Sequence, residues 1–174
     1  MSLNVSPVEL TTAATDVVLA LVCVWVVLGL TRLRAHDSWK TTLWSSVFIL
    51  LAVASVLGAV VHGVELTESV QAALWRPLDL SLELTAAVLL VGAVYDSFGK
   101  RAAQRLLPWA VGVGLVFPVL RHALNNSFLL FVVYEGVAIA GTLALYGRLA
   151  INHRLAGASI VAAGICLTLL AGLV

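Results

Sequence analysis

The chain has 174 residues, 61% of them hydrophobic and only 11% charged, with a formal net charge of +1 and a mean hydropathy of +1.07. Soluble domains are roughly a quarter charged, so this composition specifies an integral membrane protein. There is no basic run and no basic patch interleaved with aromatics, so nothing points to nucleic acid; membrane lipids are the expected partners.

An apolar run of about 20 residues crosses the hydrocarbon core. Six such runs are present: Val8–Leu30, Thr42–Val64, Leu74–Tyr95, Leu106–Leu124, Phe128–Leu149 and Leu155–Val174. The first has no basic stretch before it and is longer than a secretory signal's apolar region, so it reads as a span. Backbone groups find no water in lipid, so every span is expected to be helical. Short polar segments separate the spans, beginning with "TRLRAHDSWK" and "ELTESVQAA", and leave no room for a soluble domain. The expected fold is an all-α polytopic bundle forming one membrane domain over residues 1–174. In the fourth span Pro108 and Pro118 predict a helix start and a kink. Cys23 and Cys166 lie in apolar runs and read as small buried hydrophobes. Trp39, Trp44, Trp75 and Trp109, with Tyr95 and Tyr146, fit an interfacial belt, and Trp25 fits packing at greater depth.

Arg32, Arg34, Lys40, Lys100, Arg101, Arg105, Arg148 and Arg154 fall in the first, third and fifth connections, leaving only Arg76 and Arg121 for the other side. The excess of cytoplasmic Lys and Arg places the N-terminus outside. Six spans then put the C-terminus outside too, with a bacterial cytoplasmic membrane the expected location. The pattern also suits the first six spans of a seven-span fold.

The acids lie opposite. Asp37 and Asp96 are on the cytoplasmic side, whereas Glu9, Asp16, Glu65, Glu68, Asp79, Glu83 and Glu135 fall in the outer connections or outer half-spans, as do His62 and His122. Helical spacing groups Glu9, Thr12 and Asp16 on the first span, Ser55, His62 and Glu65 on the second, and Arg76, Asp79 and Glu83 on the third. Asp16, Glu83 and Glu135 come at a similar depth, roughly 12 Å below the outer surface. Ionised groups in lipid are costly and normally face a protein interior. Glu9, Glu65, Glu68 and Arg76 fit headgroup-level solvation equally well, and Arg76 and Arg121 fit simple neutralisation of carboxylates. Asp16, His62, Asp79, Glu83 and Glu135 are the stronger candidates for a polar pocket.

Imidazole and carboxylate together suit zinc. His62 and His122 with a carboxylate could form such a site, and Glu9 with Asp16 offers a place for a second cation. There is no HExxH, GxSxG, phosphate loop or Cys-x-x-Cys, and no Lys deep in a span for a retinal Schiff base.

Ser55, His62 and Asp79 resemble the pattern of the CREST superfamily, which comprises alkaline ceramidases, progestin/adipoQ-type receptors and Per1-like proteins. That pattern has Ser and His near the outer end of the second span, Asp at the start of the third and His-x-x-x-His on a seventh. The step from His62 to Asp79 is similar to the receptor branch, and Glu9 and Asp16 to the acid-bearing first span of the ceramidases. Two departures stand out: the family's Ser lies four residues before its His, where this chain has Gly58, and His-x-x-x-His is absent. The resemblance implies a zinc-dependent intramembrane hydrolase of a lipid amide or ester. His62 would be a metal ligand, Asp79 would orient or deprotonate the bound water, and Ser55 would stabilise the oxyanion. Rival readings are a proton- or cation-coupled transporter or channel, a bis-histidine haem protein using His62 and His122, and a receptor-like or assembly subunit.

Overall fold

The computed structural model of the protein describes residues 3–4, 6–33, 35, 37–124 and 128–171, except the side chains of His122, Phe128 and Ala171. Arg34 and the last three residues of the expected sixth span lie outside the described residues. The described chain is all-helical: α1 (Pro7–Arg32), α2 (Ser38–Gly63), α3 (Glu68–Phe98), α4 (Lys100–Ala123), α5 (Phe128–Ile151) and α6 (Ala158–Ala171). The first five are long and apolar enough to cross a membrane, the mark of a multi-pass membrane protein. The described part of α6 has 14 residues and spans about 21 Å, short of a hydrocarbon core of about 30 Å.

Several helices begin well before their apolar runs. The third starts at Glu68 rather than Leu74 and the fourth at Lys100 rather than Leu106. Hydropathy marks the lipid-facing stretch, but Glu, Gln, Lys and Arg are good helix formers and carry the helix on into the interface. The polar segment after Tyr95 therefore shrinks to a single non-helical residue, Gly99. Its φ of +84° is left-handed, which glycine adopts without a Cβ clash, and its N–H donates to the Tyr95 carbonyl at 2.8 Å, closing α3. Both Pro108 and Pro118 lie inside α4, and Pro77 inside α3. Each removes one intrahelical N–H donor without ending its helix, as membrane helices tolerate.

The chain divides into two compact units, Met1–Thr85 and Ala86–Val174, and α3 runs through the boundary. In the first unit α1 and α2 form an antiparallel hairpin. Asp37 caps α2, its side chain accepting from the Lys40 N–H at 2.9 Å, which satisfies one donor left open at the helix start. Ala13, Ala20 and Cys23 on α1 and Ala54, Gly58, Val61 and Gly63 on α2 are buried. Small residues of this kind let helix backbones approach closely. In the second unit, Phe117 of α4 stacks on Tyr134 of α5 with centroids 4.6 Å apart. There Val91 and Ala93 of α3 and Ala103 of α4 have no exposure at all.

Two packing expectations change. Trp25 is 74% exposed: it sits on the apolar outer surface of α1 and does not pack inside. Cys23 is buried as expected, but Cys166 is exposed on α6. An apolar sequence neighbourhood identifies a span without saying which of its faces is covered.

Candidate functional site

The hairpin brings the first turn of α1 beside the last turn of α2, and the site grows from that juxtaposition. Ser6 is extended, Pro7 opens α1, and Glu9 falls in the first turn, where the positive end of the helix dipole favours a carboxylate. His62 falls in the last turn of α2, where the negative end favours a protonated imidazole. Glu9 Oε2 and His62 Nδ1 are 2.6 Å apart. The chain before α1 ties the same ends together. Leu3 forms an antiparallel bridge with Val64, and the Asn4 N–H donates to the Gly63 carbonyl at 3.1 Å. That carbonyl is among those a helix C-terminus leaves without an intrahelical partner.

An ionised carboxylate can only accept, so with Glu9 ionised the proton of a neutral His62 resides on Nδ1 and Nε2 keeps a free lone pair. The ring is also held by Trp75 of α3, edge-on at 5.8 Å between centroids and an interplanar angle of 85°. His62 and Glu9 side chains remain 24% and 42% exposed, so the pair is reachable from outside the protein.

Asp16, two helical turns below Glu9 on the same face of α1, is half-buried and within electrostatic reach of His62. It rests against Gly58. A Cβ at position 58 would come 2.5 Å from Asp16 Oδ2 and 3.1 Å from its Cγ. Five residues further along α2, just past His62, a Cβ on Gly63 would come 3.2 Å from that of Ala13. Any side chain at position 58 would force the Asp16 carboxyl group to shift, so Asp16 and Gly58 go together.

The other expected site residues are distributed as follows. Ser55 is buried at 4% exposure, two turns below His62 on α2. Asp79 is half-buried on α3, and Arg76 and Glu68 are exposed. Glu65 does not share the face of Ser55 and His62, because α2 ends at Gly63 and Glu65 lies exposed in the connection to α3. Glu83 is fully enclosed. In the second unit, Arg121 is buried, with its guanidinium 5.5 Å from the Phe131 ring centroid, a cation–π contact. Glu135 is half-buried on α5. The His122 side chain lies outside the described residues, and with it both the two-histidine zinc site and the bis-histidine haem site.

An imidazole held through Nδ1 by a carboxylate presents Nε2 as zinc-ligating histidines do. Among the described residues, however, no three His, Cys, Asp or Glu side chains gather closely enough to hold a metal ion. One described imidazole with its carboxylate does not make up a zinc ligand set, and Glu9 Oε2, considered for a second cation, is engaged by His62. What the arrangement can do with its own groups is proton transfer. The sequence groups Glu9 with Asp16 on one helix face and sets His62 near the end of the next span, but it gave Trp75 only a belt role and missed the service of Gly58. The usable signal was a mid-span acid, Asp16, facing a helix with a glycine at matching depth.

A model of a protein family, described as a family of unknown function, matches residues 11–174. No curated protein and no solved structure matches the chain.

Proposed function

The chain belongs to the DUF6962 family, and we propose that it is an intramembrane hydrolase of a lipid amide or ester, working from the non-cytoplasmic side of the membrane. The orientation rests on the Lys and Arg asymmetry, which puts the N-terminus and the outer end of the α1–α2 hairpin on that side. The observation that carries the reading is the 2.6 Å pairing of Glu9 with His62 at a partly exposed, membrane-embedded helix end.

In this reading His62 is the general base. Its Nε2 takes a proton from water as the water oxygen bonds to the carbonyl carbon of the lipid. The ring, now a cation, is stabilised by Glu9 at Nδ1 and by the C-terminal end of α2. As the C–N or C–O bond breaks, His62 returns the proton to the leaving amine or alcohol, and the products are a fatty acid and an amine or alcohol. Asp16 adds a second negative charge that favours the same cation. The resemblance to the CREST superfamily supplies the substrate class and adds Ser55 and Asp79 as oxyanion-stabilising and water-orienting groups, with zinc as the cofactor it implies.

The test is fatty-acid release, by mass spectrometry, from N-acyl and O-acyl lipids in micelles containing the purified protein. Release that is lost in His62→Gln and strongly reduced in Glu9→Ala supports the reading. No release from either lipid class, or equal release by His62→Gln, removes it. Elemental analysis of the same samples decides the cofactor: stoichiometric zinc lost in His62→Ala adds a metal to the site, and equal metal content leaves acid–base chemistry alone.

A further inference from the structure

The second unit holds a polar line that the Glu9–His62 chemistry leaves unused. On α5, Glu135, Ala138, Thr142, Tyr146 and Leu149 recur at steps of three and four and so share one helical face. Over most of its length this face is closed. Thr142 has no exposure, Tyr146 has 1%, and Ala138 and Leu149 are buried. At one end Glu135 is half-buried, with its Oε1 shut off from the surface. At the other, the Tyr146 hydroxyl donates to Asp96 Oδ2 of α3 at 2.7 Å. Asp96 is half-buried, two residues before the end of α3 and four before Lys100, which opens α4.

A packing face needs none of these polar groups, and an apolar span excludes them unless they are used. Alanine, leucine and phenylalanine would fill the same volume. The chemistry of the line is that of proton carriers: a carboxyl at each end, a phenol bonded to one of them and a hydroxyl one turn away. From Glu135 to Tyr146 the helix rises about 16 Å, roughly half a hydrocarbon core. We propose that this face of α5 is a proton path, with Glu135 and Asp96 as its terminal carriers and Tyr146 as the relay between Asp96 and the enclosed stretch.

The relay step balances without a redox partner. The Tyr146 O–H proton passes to Asp96 Oδ2 as the phenol oxygen takes a proton from a water on its Thr142 side. That water is reprotonated, through further water, by the Glu135 carboxyl. Tyr146 and the water thus end as they began, and Glu135 is left a carboxylate that takes its next proton from its own end of the line. Asp96 then releases its proton to water at the helix end. Thr142 donates its own proton to the Ala138 carbonyl at 2.8 Å, which leaves its lone pairs to receive a water hydrogen. The path requires water in the interval between Thr142 and Glu135, about 10 Å at 1.5 Å per residue.

Proton influx is measured in phosphatidylcholine vesicles holding the full chain and a trapped pH dye, driven by a potassium gradient with valinomycin. Positioned proton-transfer groups contribute about a hundredfold or more, so wild-type flux well above that of empty vesicles should fall at least about tenfold in Tyr146→Phe. Glu135→Gln, at the far end of the line, should lower it as well, and decides the matter if Tyr146→Phe does not reconstitute. Wild-type flux equal to that of empty vesicles overturns the proposal, and so does unchanged flux in either reconstituted variant. Fatty-acid release is a separate readout, so this path and the hydrolase reading stand or fall independently.

Discussion

In the Met1–Thr85 unit, a carboxylate sits at the start of α1 and an imidazole at the end of α2. In the Ala86–Val174 unit, a carboxylate sits at the end of α3 and meets a phenol near the end of α5. Glu9 lies where the helix dipole favours negative charge, and Asp96 where the dipole opposes it. Glu9 and His62 keep contact with the surface, whereas Tyr146 is almost fully enclosed. The first pair is supported by its helix ends and by solvent, so its hydrogen bond adds orientation more than stability. The second pair lies against an adverse dipole with its phenol enclosed, so its hydrogen bond contributes more to stability.

This comparison fixes an order of effects. The largest loss is expected for Tyr146→Phe, which deletes one oxygen and leaves Asp96 without that donor at an unfavourable helix end. A hydrogen bond to a charged group is worth about 1.5–3 kcal/mol, so thermal unfolding in detergent should show a loss of about 2 kcal/mol. A loss no larger than that of Glu9→Ala would break the comparison.

Next comes Gly58→Ser, which installs the residue of the CREST pattern. Its Cβ would displace the Asp16 carboxyl group, and overpacking of this kind costs about 1–3 kcal/mol. The loss should shrink in an Asp16→Ala background, since residues in contact do not behave additively. An additive double mutant would mean that Asp16 and Gly58 are independent.

How far the sequence reveals these relations depends on whether one helix suffices to see them. The apolar runs marked the first five long apolar helices, and the i, i+7 spacing put Glu9 and Asp16 on one face of the first. The position of His62 near the end of the second helix was legible too. Its pairing with Glu9 was not, because that pairing depends on the register of two helices set by Ala13, Gly58 and Gly63, whose signals are weak one at a time. Tyr146 was misjudged as a belt residue for a related reason. A tyrosine near a span end looks interfacial until the burial of Ala138, Thr142 and Leu149 shows which face of α5 is covered. Glu65 was assigned to the face of Ser55 and His62 because the helix was extrapolated past Gly63, where the backbone turns extended at Val64.

The smallest expected stability effect belongs to Glu9→Ala, and it sharpens the comparison most. A partly exposed pair of this kind contributes about 0.2–1 kcal/mol after solvent screening, so the unfolding temperature should barely move. The imidazole should respond nonetheless. Removing the acceptor at Nδ1 frees the ring to carry its proton on Nε2, and nitrogen NMR of labelled His62 should show the Nδ1–H tautomer losing population. The helix-end support at α2 persists in the variant, so a large fall in stability would mean that the first pair, like the second, holds its unit together. An unchanged tautomer would mean that Trp75 and the neighbouring backbone orient the ring and that Glu9 does not, which would take away the arrangement on which the general-base role of His62 rests.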